Sequence, residues 1–224
     1  MAYRTLVVAP HPDDELLGCG GTLLRRFADG GSVGWLLVTA IQESDGWSAA
    51  QVRDREQEIS EVREGLGIDS ENLYPLGLPP TKLDQVPMAE LVGRFSEVFN
   101  LFKPEEVLLP HGHDIHSDHR IVFEAVGSCT KWFRYPSVRR VLAYETLSET
   151  DFILKPMGAF NPNVFVDIAP HLEKKLALLN CYQSELGEFP FPRSEKAVRA
   201  LAQTRGAQSG FMAAEAFQLL LERT

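Results

Sequence analysis

The sequence predicts an α/β fold: an open, mostly parallel, Rossmann-like sheet with helices on both faces. Short apolar runs rich in Val and Leu alternate with longer segments of helical periodicity, which is typical of parallel strands joined by crossover helices. The 224 residues are 44% hydrophobic and 24% charged, the usage of an ordinary globular protein. No repeat, low-complexity tract or linker composition divides the chain, so we expect one domain over residues 1–224.

The predicted strands are short apolar runs, most of them rich in β-branched residues and bounded by glycine, proline or polar residues. Their continuous apolar character indicates burial on both faces of the sheet. They cover Thr5–Ala9, Val33–Thr39, Asn72–Leu76, Val107–Pro110, Val138–Tyr144 and Val164–Val166.

Helices are predicted between these strands wherever apolar residues recur at helical spacing. Gly67 and Pro104 stand where the second and third helices should end. The first helix ends at Asp29-Gly30-Gly31, and the others cover Gln51–Leu66, Met88–Phe102, Ile121–Trp132, Leu172–Cys181, Glu195–Arg205 and Ala213–Glu222.

Charge and cysteine content narrow the range of partners and compartments. With 31 acidic and 22 basic residues, the formal net charge is −9, so we expect neither nucleic acid nor an anionic membrane as partner. The three cysteines are widely separated and form no CxxC pair, which favours a reducing cytoplasm over a disulfide framework. No segment has the roughly 18 to 20 apolar residues of a membrane span.

The first polar loop, Pro10–Glu15, directly follows the first predicted strand. Its three acidic residues fit the first turn of a helix, where negative charge is stabilising. A helix start does not require His11 before Pro12, however. A structural and a functional interpretation of this motif therefore stay equally open.

The second polar loop follows the strand at Val107–Pro110 and concentrates four histidines and two aspartates in nine residues. These are His111, His113, Asp114, His116, Asp118 and His119. His and Asp are zinc ligands, and a catalytic zinc site combines three protein ligands with an open position. Ligands of open α/β sheets bind at the carboxyl ends of the strands, so we expect the two polar loops to meet there.

A glycine-rich stretch, Gly18-Cys-Gly-Gly21, raises the alternative of a dinucleotide-binding site. That fingerprint places its glycines in the turn directly after the strand, whereas these lie inside the first helix. We therefore interpret them as small residues that let the helix approach the sheet. Cys19 fits a buried small hydrophobic residue better than a nucleophile.

Two motifs, His11-Pro-Asp-Asp-Glu15 and His116-Ser-Asp-His119, each follow a hydrophobic strand and resemble the LmbE/PIG-L family of zinc-dependent N-acetylglucosaminyl de-N-acetylases. Gly20-Gly21-Thr22 and Arg55-x-x-Glu58 are similar to the family as well, so the resemblance covers about the first 130 residues. It implies an LmbE-like fold and a hydrolase that deacetylates a GlcNAc-type amino sugar or its conjugate.

The resemblance also implies roles for single residues. Asp13 would be the general base, and His116 would stabilise the oxyanion or protonate the leaving amine. Arg55 would hold sugar hydroxyls or an attached anionic group. Ser117 stands where many relatives have proline. Independently of the resemblance, two roles stay equally open for Asp118: it would either orient an imidazole or cap the following helix. The implied ligands of Zn²⁺, with Fe²⁺ as an alternative ion, are His11, Asp14 and His119.

Several alternatives stay open at this point. Two histidines and one carboxylate are also the ligand set of non-haem Fe(II) oxygenases, and a non-enzymatic metal- or sugar-binding module is a third hypothesis. The loops around 42–50, 78–87 and 183–193 would determine which conjugate binds, but their sequences do not identify it. Trp47 would stack on a sugar or anchor its loop. The roles of His111 and His113 are open, and a homo-oligomer is compatible with the sequence.

Overall fold

The structure, a computed structural model, describes residues 3–154 and 158–224. The strands are β1 (Arg4–Ala9), β2 (Ser32–Thr39), β3 (Leu73–Leu78), β4 (Glu106–Pro110), β5 (Arg140–Tyr144), β6 (Val164–Asp167) and β7 (Ala214–Glu222). The helices are α1 (Asp14–Ala28), α2 (Ala49–Leu66), α3 (Met88–Phe102), α4 (Ser117–Ser128), α5 (Leu172–Leu179) and α6 (Glu195–Ser209). Within the described ranges, no helix combines the length and apolar character that crossing a membrane requires.

The seven strands of the described residues form one sheet in the order β3-β2-β1-β4-β5-β7-β6. The strands β1 to β5 pair in parallel, and β7 runs antiparallel to both β5 and β6. The predicted open, mostly parallel α/β sheet is therefore confirmed. The strand order turns back between β1 and β4, because the chain continues outward from β1 to β3 and then returns to the other side of β1.

The sheet is covered on both faces, which explains its continuous apolar strands. In β1, Val7 and Ala9 face one core, whereas Leu6 and Val8 face the other. The first core is completed by α1, α2, α5 and α6, and the second by α3 and α4. Because successive residues of a strand point to opposite faces, a strand buried on both sides is apolar at every position.

The C-terminal segment contradicts the sequence prediction. Ala213–Glu222 was expected to be a helix, but Ala214–Glu222 is the strand β7. Its backbone pairs on one side with β5 and on the other with β6. The alanines, leucines and glutamates of this segment favour a helix locally, but the two open strand edges satisfy its backbone and bury its apolar side chains, as in the case of Phe217.

Helix α1 is broken at Cys19, whose φ of −150° and ψ of 17° are not helical. The carboxylate of Glu215, on β7, accepts hydrogen bonds from the backbone N–H groups of Gly21 and Thr22 at 2.8 and 2.7 Å. It also accepts one from Lys175 Nζ at 2.7 Å. Glu215 thus caps the second half of α1 from a distant strand, and the buried Lys175 balances its charge.

The glycines of α1 serve close packing, as predicted. A Cβ at Gly18 would overlap the ring of Tyr144, and one at Gly21 would lie 2.8 Å from Ile168 Cβ. Cys19 is fully buried, and burial raises the pKa of its thiol well above the ordinary value. A buried protonated thiol is unreactive, in agreement with the interpretation of Cys19 as a packing residue.

Candidate active site

The two polar loops that were predicted to meet do lie side by side at the carboxyl edge of the sheet. β1 pairs in parallel with β4, and the loops that follow them lead into α1 and α4. This edge is also the point at which the strand order turns back. Open α/β sheets bind their ligands at this position, since the loops diverge there and leave a crevice.

Three side chains from these loops bring possible ligand atoms together. The atoms of His11, Asp14 and His119 all lie within 4.8 Å of one another. Asp14 Oδ2 is 3.2 Å from His11 Nδ1 and 3.3 Å from His119 Nε2. These three residues could hold a divalent metal ion, and they are the same three that the sequence resemblance implied.

His119 is held by a chain of hydrogen bonds behind it. Its Nδ1 donates to Asp114 Oδ2 at 2.8 Å, and Thr150 Oγ1 donates to Asp114 Oδ1 at 2.7 Å. Its Nε2 is buried and has no hydrogen-bond partner within residues 3–154 and 158–224. A buried nitrogen left without a partner is costly, and a lone pair directed towards Asp14 is what a metal ligand requires. The residues therefore fit a bound metal.

His11 is oriented in the same manner from the opposite side. Its Nε2 donates to Asp118 Oδ2 at 3.0 Å, so its Nδ1 is the nitrogen that faces Asp14. The Asp118 carboxylate is fixed in turn by the backbone N–H groups of Thr81 and Leu83, at 2.7 and 3.3 Å. Of the two roles considered for Asp118, the structure supports orientation of an imidazole.

The other role, a helix cap, belongs to His116. Helix α4 begins at Ser117, four residues before the predicted Ile121, and Nδ1 of its N-cap residue His116 accepts the backbone N–H of Asp118 at 3.1 Å. Because Nδ1 is an acceptor, Nε2 carries the proton of the neutral ring. Burial, and then the charge of His11, lower the pKa of His116 to about 4.

The carboxylates around His11 and His119 raise the pKa values of both imidazoles. Burial disfavours the protonated form of His119, but the Asp14 charge and the hydrogen bond to Asp114 outweigh it and raise its pKa to about 10. For His11 the hydrogen bonds to Asp118 and Asp14 outweigh burial in the same way and raise the pKa to about 9. The carboxylates that favour protons on these rings would equally favour a metal cation in their place.

Asp13 lies next to this group in an unusual backbone conformation. Its φ of 122° falls in the region that normally requires glycine, and its carboxylate is buried. Arg193 Nη1 donates to Asp13 Oδ2 at 2.9 Å. Burial, with the adjacent Asp14 charge, raises the pKa of Asp13 to about 7. A carboxylate with this pKa is suited to accept and return a proton near neutral pH.

A cavity of about 660 Å³ opens above these residues, within the size range of small-molecule sites. All three loops that were expected to select the conjugate contribute to its wall. Trp47 comes from the first, Lys82 from the second, and Glu185 with Arg193 from the third.

Arg55 lies in the wall of this cavity but is already engaged. It projects from α2 and donates through Nη2 to Glu185 Oε1 at 2.5 Å and to Ser184 Oγ at 3.0 Å. Its Nε lies 3.0 Å from the Glu58 carboxylate. A direct contact between Arg55 and substrate stays a prediction. The contacts that the structure gives it are with Glu58, with the turn at residues 183–185 and, through Nη1, with Pro12 O at 3.4 Å.

The family of the chain follows from comparison with known proteins. The model of the PIG-L family, described as GlcNAc-PI de-N-acetylase, matches residues 6–130, more than half of the chain. This chain belongs to the PIG-L family. The matched segment contains the three possible metal ligands and Asp13. The resemblance drawn from the two motifs is thereby confirmed, and it places the protein among the deacetylases.

Several proteins are similar to this PIG-L member over nearly its full length. A diacetylchitobiose deacetylase of Thermococcus kodakarensis is 25% identical over 229 residues, which cover 97% of this chain and 83% of the relative. The crystal structure of the conserved protein TT1542 from Thermus thermophilus matches with a TM-score of 0.78 and 28% identity, covering 99% of this chain and 96% of that one. An N,N'-diacetylchitobiose deacetylase from Pyrococcus horikoshii matches with a TM-score of 0.76 and 23% identity, covering 97% and 84%, and shows the same fold.

Some residues of this PIG-L site were missed from the sequence. Asp114 lies in the histidine-rich loop and supports His119, a role that its position in the sequence does not indicate. Arg193 gave no signal, because a single arginine in a loop rich in proline and phenylalanine looks like any surface residue. His111, whose role had been left open, bonds through Nε2 to Gly158 O at 2.8 Å, and it lies outside the potential ligand groups found in the described residues, as does His113.

Proposed function

We propose that this PIG-L member is a zinc-dependent hydrolase that removes the N-acetyl group from a GlcNAc-type amino sugar or its conjugate. One observation carries the proposal: a second buried carboxylate, Asp13, stands directly beside the three-residue group of His11, Asp14 and His119. Metal-dependent amide hydrolysis needs both parts, a cation to activate the reactants and a separate base to move the proton.

Two of the three distances between the ligand atoms are compatible with zinc. Ligand atoms about 2.0 to 2.1 Å from a tetrahedral zinc ion lie about 3.3 Å from one another. Asp14 Oδ2 lies 3.2 and 3.3 Å from the two imidazole nitrogens that face it. When bound, Zn²⁺ would lower the pKa of a water molecule towards about 7 and polarise the acetyl carbonyl.

The residues of the chain would then divide the proton transfers and charge stabilisation. Asp13 would take a proton from the attacking water as its oxygen bonds to the acetyl carbon. His116 would donate a hydrogen bond from Nε2–H to the carbonyl oxygen as that oxygen becomes negative. Nε2 carries the proton because Nδ1 already accepts a backbone N–H. Asp13 would return its proton to the sugar nitrogen as the C–N bond breaks, releasing acetate and the free amine. Of the two roles considered for His116, this supports the oxyanion role.

The proposed substrate is an N-acetylated amino sugar, free or within a glycoconjugate. The similarity to a diacetylchitobiose deacetylase supports this class. The cavity volume of about 660 Å³ supports a substrate larger than the acetyl group alone. Trp47 lines the cavity and is 42% exposed, which suits an aromatic face on which a sugar ring stacks. The three unpaired cysteines fit a cytoplasmic location.

The deciding experiment combines metal analysis of the purified protein with an acetate-release assay. The panel includes N-acetylglucosamine, diacetylchitobiose and a phosphoinositol-linked GlcNAc. We expect about one zinc per chain and acetate release from at least one compound. Asp13→Ala should keep the zinc and lose the activity, and Asp29→Ala, at the exposed end of α1, is the matched control that should retain both.

Two outcomes separate this proposal from its alternatives. Because Fe²⁺ uses the same ligand types, the wild type is also assayed in the strict absence of oxygen. Loss of activity without oxygen would favour an iron oxygenase. Sugar binding without acetate release from any compound would favour a non-enzymatic module, and full activity of Asp13→Ala would remove the assigned base.

A further inference from the structure

We propose that Arg193 is the positioning residue of the general base: it holds the Asp13 carboxylate in its reactive orientation. This inference depends on the deacetylase activity proposed above and adds to it a residue from outside the matched family segment. Arg193 lies 180 residues from Asp13 in sequence, yet its Nη1 donates to Asp13 Oδ2 at 2.9 Å.

Arg193 is itself firmly held. It directly precedes Ser194, the N-cap of α6, whose side chain accepts the N–H of Ala197 at 3.2 Å. The backbone that carries Arg193 is therefore fixed to the start of a helix. A guanidinium placed on a fixed backbone can impose its own geometry on a neighbouring carboxylate.

The guanidinium of Arg193 joins three parts of the cavity wall. Besides Asp13, Nη1 reaches Glu185 Oε2 at 3.3 Å, Nε donates to Ser148 Oγ at 2.8 Å, and Nη2 reaches Glu149 Oε1 at 3.5 Å. All three of its nitrogens are thus engaged with the protein. This argues for a role in holding Asp13 and against a role as the primary contact for an anionic substrate.

Asp13 needs such support because its own backbone does not favour its position. A φ of 122° is unfavourable for a residue with a side chain and persists only where the surroundings enforce it. Glu15 Oε2 accepts the Asp13 N–H at 3.1 Å and fixes the backbone side. Arg193 fixes the carboxylate side through Oδ2, which leaves Oδ1 as the atom that takes the proton.

The same network gives Arg55 a role that does not require a contact with substrate. Arg55 Nη2 donates to Glu185 Oε1, and the other oxygen of Glu185 accepts from Arg193. Glu185 therefore lies between two arginines, one on α2 and one before α6. By this arrangement Arg55 supports Arg193, and Arg193 supports Asp13.

The test compares Arg193→Ala, Arg193→Lys and a matched control, Arg199→Ala. Arg199 is an arginine on α6 that pairs with the exposed Glu173. For Arg193→Ala we expect kcat to fall roughly 10- to 100-fold with KM unchanged, because a misplaced base weakens the transition state and not substrate binding. Arg193→Lys should recover part of kcat, and Arg199→Ala should match the wild type.

Two readouts besides activity accompany the kinetics. Arg193→Ala should retain the wild-type metal content, and its crystal structure should show the Asp13 carboxylate displaced. An unchanged kcat, a raised KM with unchanged kcat, a loss of metal, or an Asp13 carboxylate still in place would each overturn the proposal. If Arg193→Ala does not fold, Arg193→Gln takes its place and is expected to be less active than Arg193→Lys, with equal activities overturning the proposal.

Failure of this proposal is distinguishable from failure of the proposed function. A wild type that releases acetate together with an equally active Arg193→Ala variant would overturn only the role of Arg193. A wild type without activity on any acetylated sugar would overturn the deacetylase assignment itself.

Discussion

Glu215→Ala should be among the most destabilising single substitutions in this protein. The Glu215 carboxylate is 5% exposed, and it accepts hydrogen bonds from the Gly21 and Thr22 backbones and from Lys175 Nζ, all within 2.8 Å. Its removal would leave a buried ammonium without a counter-charge and two buried N–H groups without acceptors. In the wild type these groups are shielded from water, since Lys175 is only 3% exposed.

The size of the effect follows from these lost contacts. Removing one partner of a buried ion pair costs about 3 to 5 kcal/mol, and an orphaned buried N–H costs about 1 to 3 kcal/mol. These contributions overlap, so we take about 4 kcal/mol as the expected loss in the free energy of unfolding. A chain of this length loses about 2 to 4 °C in Tm per kcal/mol, so Tm should fall by about 8 to 16 °C.

Urea denaturation and calorimetry measure this loss. Glu222→Ala is the matched control on the same strand, because its carboxylate is 45% exposed and lies 3.5 Å from Arg140. An exposed pair of that kind is worth less than about 1 kcal/mol. The double variant Lys175→Met, Glu215→Leu should be more stable than Glu215→Ala, because it removes both charges. If Glu215→Ala cost no more than Glu222→Ala, the reasoning about the cap on α1 would be refuted.

Three further predictions concern the metal site and the packing beside it. Asp114→Asn should raise the metal dissociation constant roughly 10- to 100-fold, because it removes the negative charge that supports His119. Competition with a chelating indicator measures this constant, and an unchanged affinity would contradict the prediction. Gly18→Ala should cost about 1 to 3 kcal/mol, since its Cβ would overlap the Tyr144 ring, and a wild-type Tm would contradict it. Removing the metal with a chelator should lower Tm, and adding zinc should restore it. The free energy of unfolding should fall by about 4 kcal/mol relative to a sample whose free metal stands at roughly 1,000 times its dissociation constant. An unchanged Tm would mean that no metal binds.

Most of the sheet could be predicted because its strands are buried on both faces. A run such as Thr5–Ala9 is apolar at every position after the first for that reason, and the structure extends it by only one residue, to Arg4. The C-terminal segment could not be predicted, because its residues favour a helix and only the two strand edges beside it select a strand. The strand conformation of this segment is selected by β5 and β6, which lie much earlier in the chain, between Arg140 and Asp167.

The site shows the same division between local and distant signals. The possible metal ligands belong to two short motifs that follow adjacent parallel strands, so sequence and topology together were enough to bring them together. The residues that orient them come from elsewhere: Thr150 lies 36 residues from Asp114, and Arg193 lies 180 residues from Asp13. No spacing rule connects such residues, because their proximity is produced only by the complete fold.

The catalytic residues and much of the cavity wall come from different parts of the chain. The family match over residues 6–130 includes the three possible metal ligands, Asp13 and His116. The part of the chain after residue 130 supplies Glu149, Glu185 and Arg193 to the cavity wall, and Glu215 to the cap on α1. Substitutions in the later part can therefore change the shape of the cavity or the orientation of Asp13 without touching a metal ligand. For this reason variants of the C-terminal third should separate kcat, KM and stability from metal content, whereas variants of His11, Asp14 and His119 should change metal content and activity together.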